Sequence, residues 1–135
     1  MSVFVDTSAL FATLDADDVA HDVALPVWRQ GIDHGEGFVT TNYVIVETIA
    51  LAQRRLGFAA VAALVDEMLP MIDTAWVTEG DHESSLAALV TAGKRRLSLV
   101  DCVSFAVMRR LGVREYFGFD PHFADQGFTA YTGRQ

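Results

Sequence analysis

One cysteine, Cys102, occurs among the 135 residues, so no disulfide can form within the chain, which suits a reducing compartment. Positive charge is also short: ten Lys and Arg against eighteen Asp and Glu leave a formal net charge of −8. Bulk electrostatics of that sign repel a phosphate backbone, so any nucleic-acid chemistry must rest on a local arrangement and not on a broadly basic surface. Every long apolar run is broken by charge well short of a membrane span. The start, Met1-Ser2-Val3-Phe4-Val5-Asp6, has no basic region of the kind that opens a signal peptide. The expectation is a cytoplasmic protein with no membrane partner. Internal repeats, low-complexity tracts and linker-like stretches are absent as well, and the length suits one domain over residues 1–135.

What the chain does have is apolar side chains, at 51% of residues, enough to fill a core without covalent staples. Its scarce cations are also concentrated. Arg54-Arg55, Lys94-Arg95-Arg96 and Arg109-Arg110 hold seven of the ten, each near the end of a predicted helix, where cations complement the helix dipole. Arg54 lies two turns from Glu47 on one predicted helical face, which brings it into consideration as a contact to a phosphate backbone.

The pattern alternates strands with helices. Ser2 to Val5 reads as a buried strand, and Thr7-Ser8 can cap a helix over Ala9 to Leu14. Asp17-Asp18 opens a helical stretch to about His34 that Pro26 is expected to kink or divide. Gly37 to Thr41 is a second strand, Asn42 caps a helix ending at Gly57, and Phe58 to Leu69 forms another, stopped by Pro70. Met71 to Val77 is a third strand. Helices follow from Asp81 to about Arg96 and from Ser98 to Leu111, then short strands at Glu115 to Phe119 and Phe128 to Tyr131. Such alternation implies a mainly parallel sheet covered on both faces, with the ligand site outside the carboxyl ends of the strands.

Four acids fall near that edge. Asp6 ends the first strand, where it can also cap a helix. Asp101 stands three residues after Ser98, the spacing of a capping box. Asp120 ends a strand and precedes Pro121, so it too can serve a helical turn, with the neighbouring Asp125 a weaker substitute. Glu47 is different, because Tyr43-Val44-Ile45-Val46-Glu47-Thr48-Ile49-Ala50-Leu51 surrounds it with apolar residues and offers no partner charge. Carboxylates gathered in one place raise one another's pKa unless a cation joins them. Oxygen-only donors suit Mg²⁺ or Mn²⁺, whereas the four histidines are too dispersed for zinc, and His122 and Cys102 have ordinary structural roles open to them.

These segments resemble a known family. Asp6-Thr7-Ser8-Ala9-Leu10 is similar to the opening motif of PIN domains, particularly VapC-type toxins, and Glu47 matches the second acid. Ser98-Leu99-Val100-Asp101-Cys102-Val103-Ser104-Phe105-Ala106 resembles the third segment and Phe119-Asp120-Pro121-His122-Phe123 the fourth. The likeness covers the whole chain in order. It implies a Rossmann-like three-layer α/β/α fold with about five strands and a Mg²⁺- or Mn²⁺-dependent endoribonuclease using Asp6, Glu47, Asp101 and Asp120. It also implies an RNA substrate, a cognate antitoxin and a homodimer. Thr7, Ser8 and Ser104 are placed to orient ligands or water. Two rivals stand beside this reading. Phosphotransfer through an aspartate wants an acid two residues beyond the nucleophile, where this chain has Ser8. A non-catalytic protein-binding module of the same fold would keep the acids for structure alone.

Overall fold

The computed structural model describes residues 2–134. Five parallel strands form one sheet in the order β3-β2-β1-β4-β5: β1 (Ser2–Val5), β2 (Gly37–Thr41), β3 (Ile72–Ala75), β4 (Glu115–Phe117) and β5 (Thr129–Ala130). From the central β1 the chain first builds outward to β2 and β3. It then crosses back to add β4 and β5 on the other side. The direction of winding therefore reverses between β1 and β4, which leaves a crevice at their carboxyl ends.

Both faces of the sheet are buried. Register aligns Phe4 with Val39 and Tyr116 on one face. There Phe123 stacks on Tyr116 with ring centroids 4.9 Å apart and meets Phe105 edge-on at 4.9 Å. Phe38 and Phe117 face the other way, and Trp28 stacks on Phe38 at 5.3 Å. Strands hidden on both sides need continuous apolar runs, which is why Val3-Phe4-Val5 shows no polar alternation.

The helices are α1 (Thr7–Leu14), α2 (His21–Asp33), α3 (Asn42–Arg55), α4 (Phe58–Ala63), α5 (Glu79–Ala92), α6 (Leu99–Leu111) and α7 (His122–Asp125). Several local expectations shift. Asp6, not Thr7-Ser8, caps α1, and Thr41, not Asn42, caps α3 by accepting from the Val44 amide at 3.1 Å. The Asn42 side chain instead accepts from the Val77 amide at 2.9 Å, tying the start of α3 to the exit of β3. Asp15 and Asp18 form tight turns with the amides of Asp17 and Ala20, so α2 starts only at His21. Pro26 neither divides nor ends α2, because it sits at an exposed position where only one backbone donor is lost. The single helix expected over Phe58 to Leu69 ends at Ala63 and relaxes into a π-helical turn, Leu64–Met68, and a 3-10 turn, Leu69–Met71. Pro70 has no N–H with which to continue an α ladder there. Thr78 caps α5 ahead of Asp81, and Gly93 closes that helix at φ 59°. The last strands are also shorter than expected, β4 ending at Phe117 and β5 at Ala130.

Candidate active site

Each acid reaches the crevice through a local rule. Asp6 follows directly on β1, and its amide donates to the Phe117 carbonyl at 3.0 Å, continuing the β1–β4 pairing by one residue. That bond holds Asp6 at the point where the winding reverses. Its carboxylate accepts from the Ser8 hydroxyl at 2.8 Å, and the same hydroxyl oxygen accepts from the Phe119 amide at 2.8 Å. Ser8 thus links the first acid to the loop that carries the fourth. Gly118 makes the approach possible: a Cβ there would lie 3.0 Å from the Asp6 Cβ and 3.2 Å from the Ser8 hydroxyl. Sequence reasoning overlooked Gly118; its only signal was a glycine immediately before Phe119-Asp120.

Glu47 comes from the second turn of α3. Thr48, fully buried, donates to the Val44 carbonyl at 2.7 Å and meets the Thr7 hydroxyl at 3.2 Å, which fixes the rotation of α3 against α1. Its neighbour Glu47 is then half-buried in the wall of an open cavity lined also by Asn42, Tyr43, Val46 and Val100. The expectation of an acid enclosed by apolar neighbours is therefore corrected, since most of those neighbours face other directions around the helix. Asp120 is half-buried and accepts from the His122 amide at 2.9 Å, as a residue opening a helical turn would. The Thr7 hydroxyl accepts from that of Thr48 at 3.2 Å, and the Ser104 hydroxyl donates to the Val100 carbonyl at 2.8 Å within its own helix. Arg54 stands in the last turn of α3, ~10 Å along the helix from Glu47 and away from the crevice, so helical phase alone misplaced it.

Asp101 has an internal control. Two capping boxes of the same form occur, Thr78 to Asp81 opening α5 and Ser98 to Asp101 opening α6. In both, the acid accepts from the cap residue's amide at 3.1 Å and is 7% exposed. Asp81 is also gripped by Arg110, Nη2 to Oδ2 at 2.8 Å and Nε to Oδ1 at 3.2 Å, and this guanidinium holds its carboxyl below the usual range. Among the described residues Asp101 has no such cation. Burial raises it to about 6, and the charges of Asp120 and Glu47 push the same way. Capping therefore accounts for Asp81 completely and for Asp101 only in part.

Asp6, 3% exposed, is raised to about 7, chiefly by burial, with the charge of Asp101 adding and the Ser8 hydroxyl opposing. Electrostatic influence thus joins all four acids through Asp101. Asp125 is exposed, and the carboxylate charges acting on Asp101 are those of Asp120 and Glu47. The donor set consists of hard oxygens with an excess of negative charge, the chemistry that suits Mg²⁺ or Mn²⁺. As the side chains stand, no three His, Cys, Asp or Glu among the described residues converge tightly enough to surround one ion. Ser8, Ser98 and the His122 amide hold three of the carboxylates where they stand.

Three comparisons bear on this arrangement. A family model described as the PIN domain matches residues 3–128. The chain is 36% identical over 127 residues to the 23S rRNA-specific endonuclease VapC20 of Mycobacterium tuberculosis, covering 93% of this chain and 95% of that protein. The crystal structure of that organism's VapC20, described as a sarcin–ricin loop cleaving toxin, superimposes with a TM-score of 0.83 at 34% identity, covering 94% of this chain and 96% of that one. FitAcB from Neisseria gonorrhoeae shares the fold, with a TM-score of 0.67 at 13% identity over 97% of this chain and 96% of that chain.

Proposed function

The chain belongs to the PIN-domain family, and from that premise we propose that it is a divalent-metal-dependent endoribonuclease, the toxin of a toxin–antitoxin pair. The observation that carries the reading is the contrast between Asp101 and Asp81. Two acids in capping boxes of the same form differ in that one is matched by an arginine, while the other, among the described residues, lies in a group of acids with no cation. Retaining unbalanced buried charge costs stability, and a cation that arrives with the substrate offsets that cost. The VapC20 relatives are named for 23S rRNA, so ribosomal RNA is the first substrate to assay.

Asp6 and Asp101 would hold the ion, helped by Glu47 and Asp120. The ion would lower the pKa of water and steady charge on the leaving oxygen. The chain's own part is to position these carboxylates. Ser8 orients one oxygen of Asp6, Ser98 orients one of Asp101, and Gly118 gives the β4 loop room to bring Asp120 alongside. Being half-buried, Glu47 and Asp120 remain open to the RNA side and to incoming water.

The same reading carries two protein partners, a cognate antitoxin and a second copy of the chain. Exposed apolar residues such as Trp76, Val90 and Phe58 supply surface for such contacts. Among the described residues no helix is long and apolar enough to cross a membrane.

The deciding experiment incubates the purified protein with total cellular RNA in Mg²⁺, Mn²⁺ or EDTA and maps the new RNA ends. Discrete metal-dependent cuts that vanish with Asp101→Asn support the proposal. Cuts that persist in EDTA or in the variant would overturn it, as would an absence of cuts under every condition.

A further inference from the structure

A cavity of about 330 Å³ opens between the starts of α3 and α6, lined by Asn42, Tyr43, Val46, Glu47 and Val100. Glu47 forms part of its wall, and Val100, on the opposite side, immediately precedes Asp101 in the chain. We infer that this cavity binds one unpaired nucleobase of the RNA beside the scissile phosphate, with Tyr43 as the stacking surface. The inference rests on the ribonuclease reading.

Its lining chooses among ligands. The cavity contains one carboxylate and no cation, so a phosphate group is repelled from it. A neutral flat heterocycle meets an aromatic ring and two valines there. Polar atoms are few and fixed. The Asn42 oxygen accepts from the Val77 amide at 2.9 Å, which identifies that atom as oxygen and leaves the amide NH₂ free to donate. Glu47 offers an acceptor on the same rim.

Tyr43 is held in advance. Its hydroxyl lies 2.6 Å from His82 Nδ1 at the start of α5, and the two rings meet edge-on with centroids 6.0 Å apart. A ring fixed from behind loses little freedom when a base stacks on it, which favours binding. Stacking on an aromatic side chain is tolerant of sequence because every base has a π face. The cavity would therefore recognise that a base is unpaired and accessible more strongly than which base it is. This offers a route to single-stranded or looped RNA that needs no basic surface, in a chain of net charge −8.

The test uses the whole protein and an RNA oligonucleotide spanning a mapped cut site, with the base removed in turn at each nucleotide flanking the cut. Affinity is read by fluorescence anisotropy in EDTA, and KM and kcat are read in Mg²⁺. Removing one base is expected to weaken wild-type binding about tenfold while its neighbours matter little. Tyr43→Ala should weaken intact RNA by a similar factor, raise KM more than it lowers kcat, and become indifferent to that missing base. Tyr43→Phe should keep the effect. Val46→Trp, at an exposed position that does not endanger folding, should fill the cavity mouth and mimic Tyr43→Ala. Independent, additive effects of the missing base and of Tyr43→Ala overturn the inference. So does RNA affinity unchanged in the variants while binding of a protein partner is lost, because the cavity then seats an apolar side chain. Wild-type protein that cuts no RNA at all overturns the ribonuclease reading itself, a result distinct from cutting that ignores the missing base.

Discussion

Asp81 and Asp101 hold the same third position in two capping boxes, yet Arg110 closes on Asp81 with Nη2 2.8 Å from Oδ2, and among the described residues no cation meets Asp101. Exchanging each for asparagine separates structure from chemistry. Asp81→Asn should cost about 1–2 kcal/mol in denaturant unfolding, because a charge-assisted bidentate contact is lost at a partly exposed arginine. Its cleavage per folded molecule should hold. Asp101→Asn should leave the metal-free fold as stable or more so and abolish cleavage. Similar behaviour of the two variants in both measurements would refute the distinction.

The acids also set an unusual dependence on pH. Asp6 is raised from 3.8 to about 7 and Asp101 from 3.8 to about 6. Between the unfolded and folded values the native state binds more protons than the unfolded chain, so stability falls as pH rises. Metal-free protein should therefore lose on the order of a few kcal/mol from about pH 5 to about pH 8 and level off above. Asp81 and Glu115, held low by Arg110 and Arg134, act in the opposite sense at lower pH and confine the clean window to above about pH 5. Thermal melts in EDTA should show this fall in the wild type and a flatter curve for Asp6→Asn. Added Mn²⁺ should raise the melting temperature most at pH 8, where both acids are ionised. A melting temperature indifferent to Mn²⁺ at that pH would count against a metal site.

Glu47 has no hydrogen bond or ion pair among the described residues and is only half-buried. Glu47→Gln should accordingly change metal-free stability little, by about 0.5 kcal/mol or less, and in the stabilising direction because a like charge near Asp101 is removed. Turnover in saturating Mn²⁺ should drop by at least about a hundredfold. A variant that melts markedly lower and still cuts at the wild-type rate would make Glu47 a packing residue.

Gly118→Ala tests the close approach. The added methyl would sit 3.0 Å from the Asp6 Cβ and 3.2 Å from the Ser8 hydroxyl, so the β4 loop must move. The expected cost is about 1–3 kcal/mol of stability, with cleavage reduced beyond what the folded fraction explains. Wild-type activity per folded molecule would mean that the Asp6–Ser8–Phe119 link does not position the fourth acid.

Much of the molecule was legible in the chain because its causes are local. Continuous apolar Val3-Phe4-Val5 announces a strand covered on both faces, and Ser98 with Asp101 announces the start of α6 within one turn. Gly112, in the left-handed region at φ 70°, marks its end. Asp6, Asp101 and Asp120 stood out because each follows such a signal at the same edge of an alternating α/β pattern, and Glu47 because its sequence neighbours offer no partner charge. Boundaries were less legible where two adjacent residues can do the same work, as with Thr41 and Asn42. There the amide of Val77, thirty-five residues away, occupies the asparagine and leaves capping to the threonine.

Sequence alone therefore determined the order of strands and helices and the three aspartates at their ends, since propensity, capping and periodicity act between residues a few positions apart. Only the tertiary structure decided which acids share a charge environment. Asp81 and Asp101 read alike in the chain, and the arginine that distinguishes them lies twenty-nine residues beyond Asp81. Glu47 looked enclosed among its sequence neighbours, but Thr48 locks α3 at a rotation that leaves it on an open wall. Coulomb interaction and desolvation depend on distance in space and on what covers a group, and neither is set until the sheet has wound in both directions from β1.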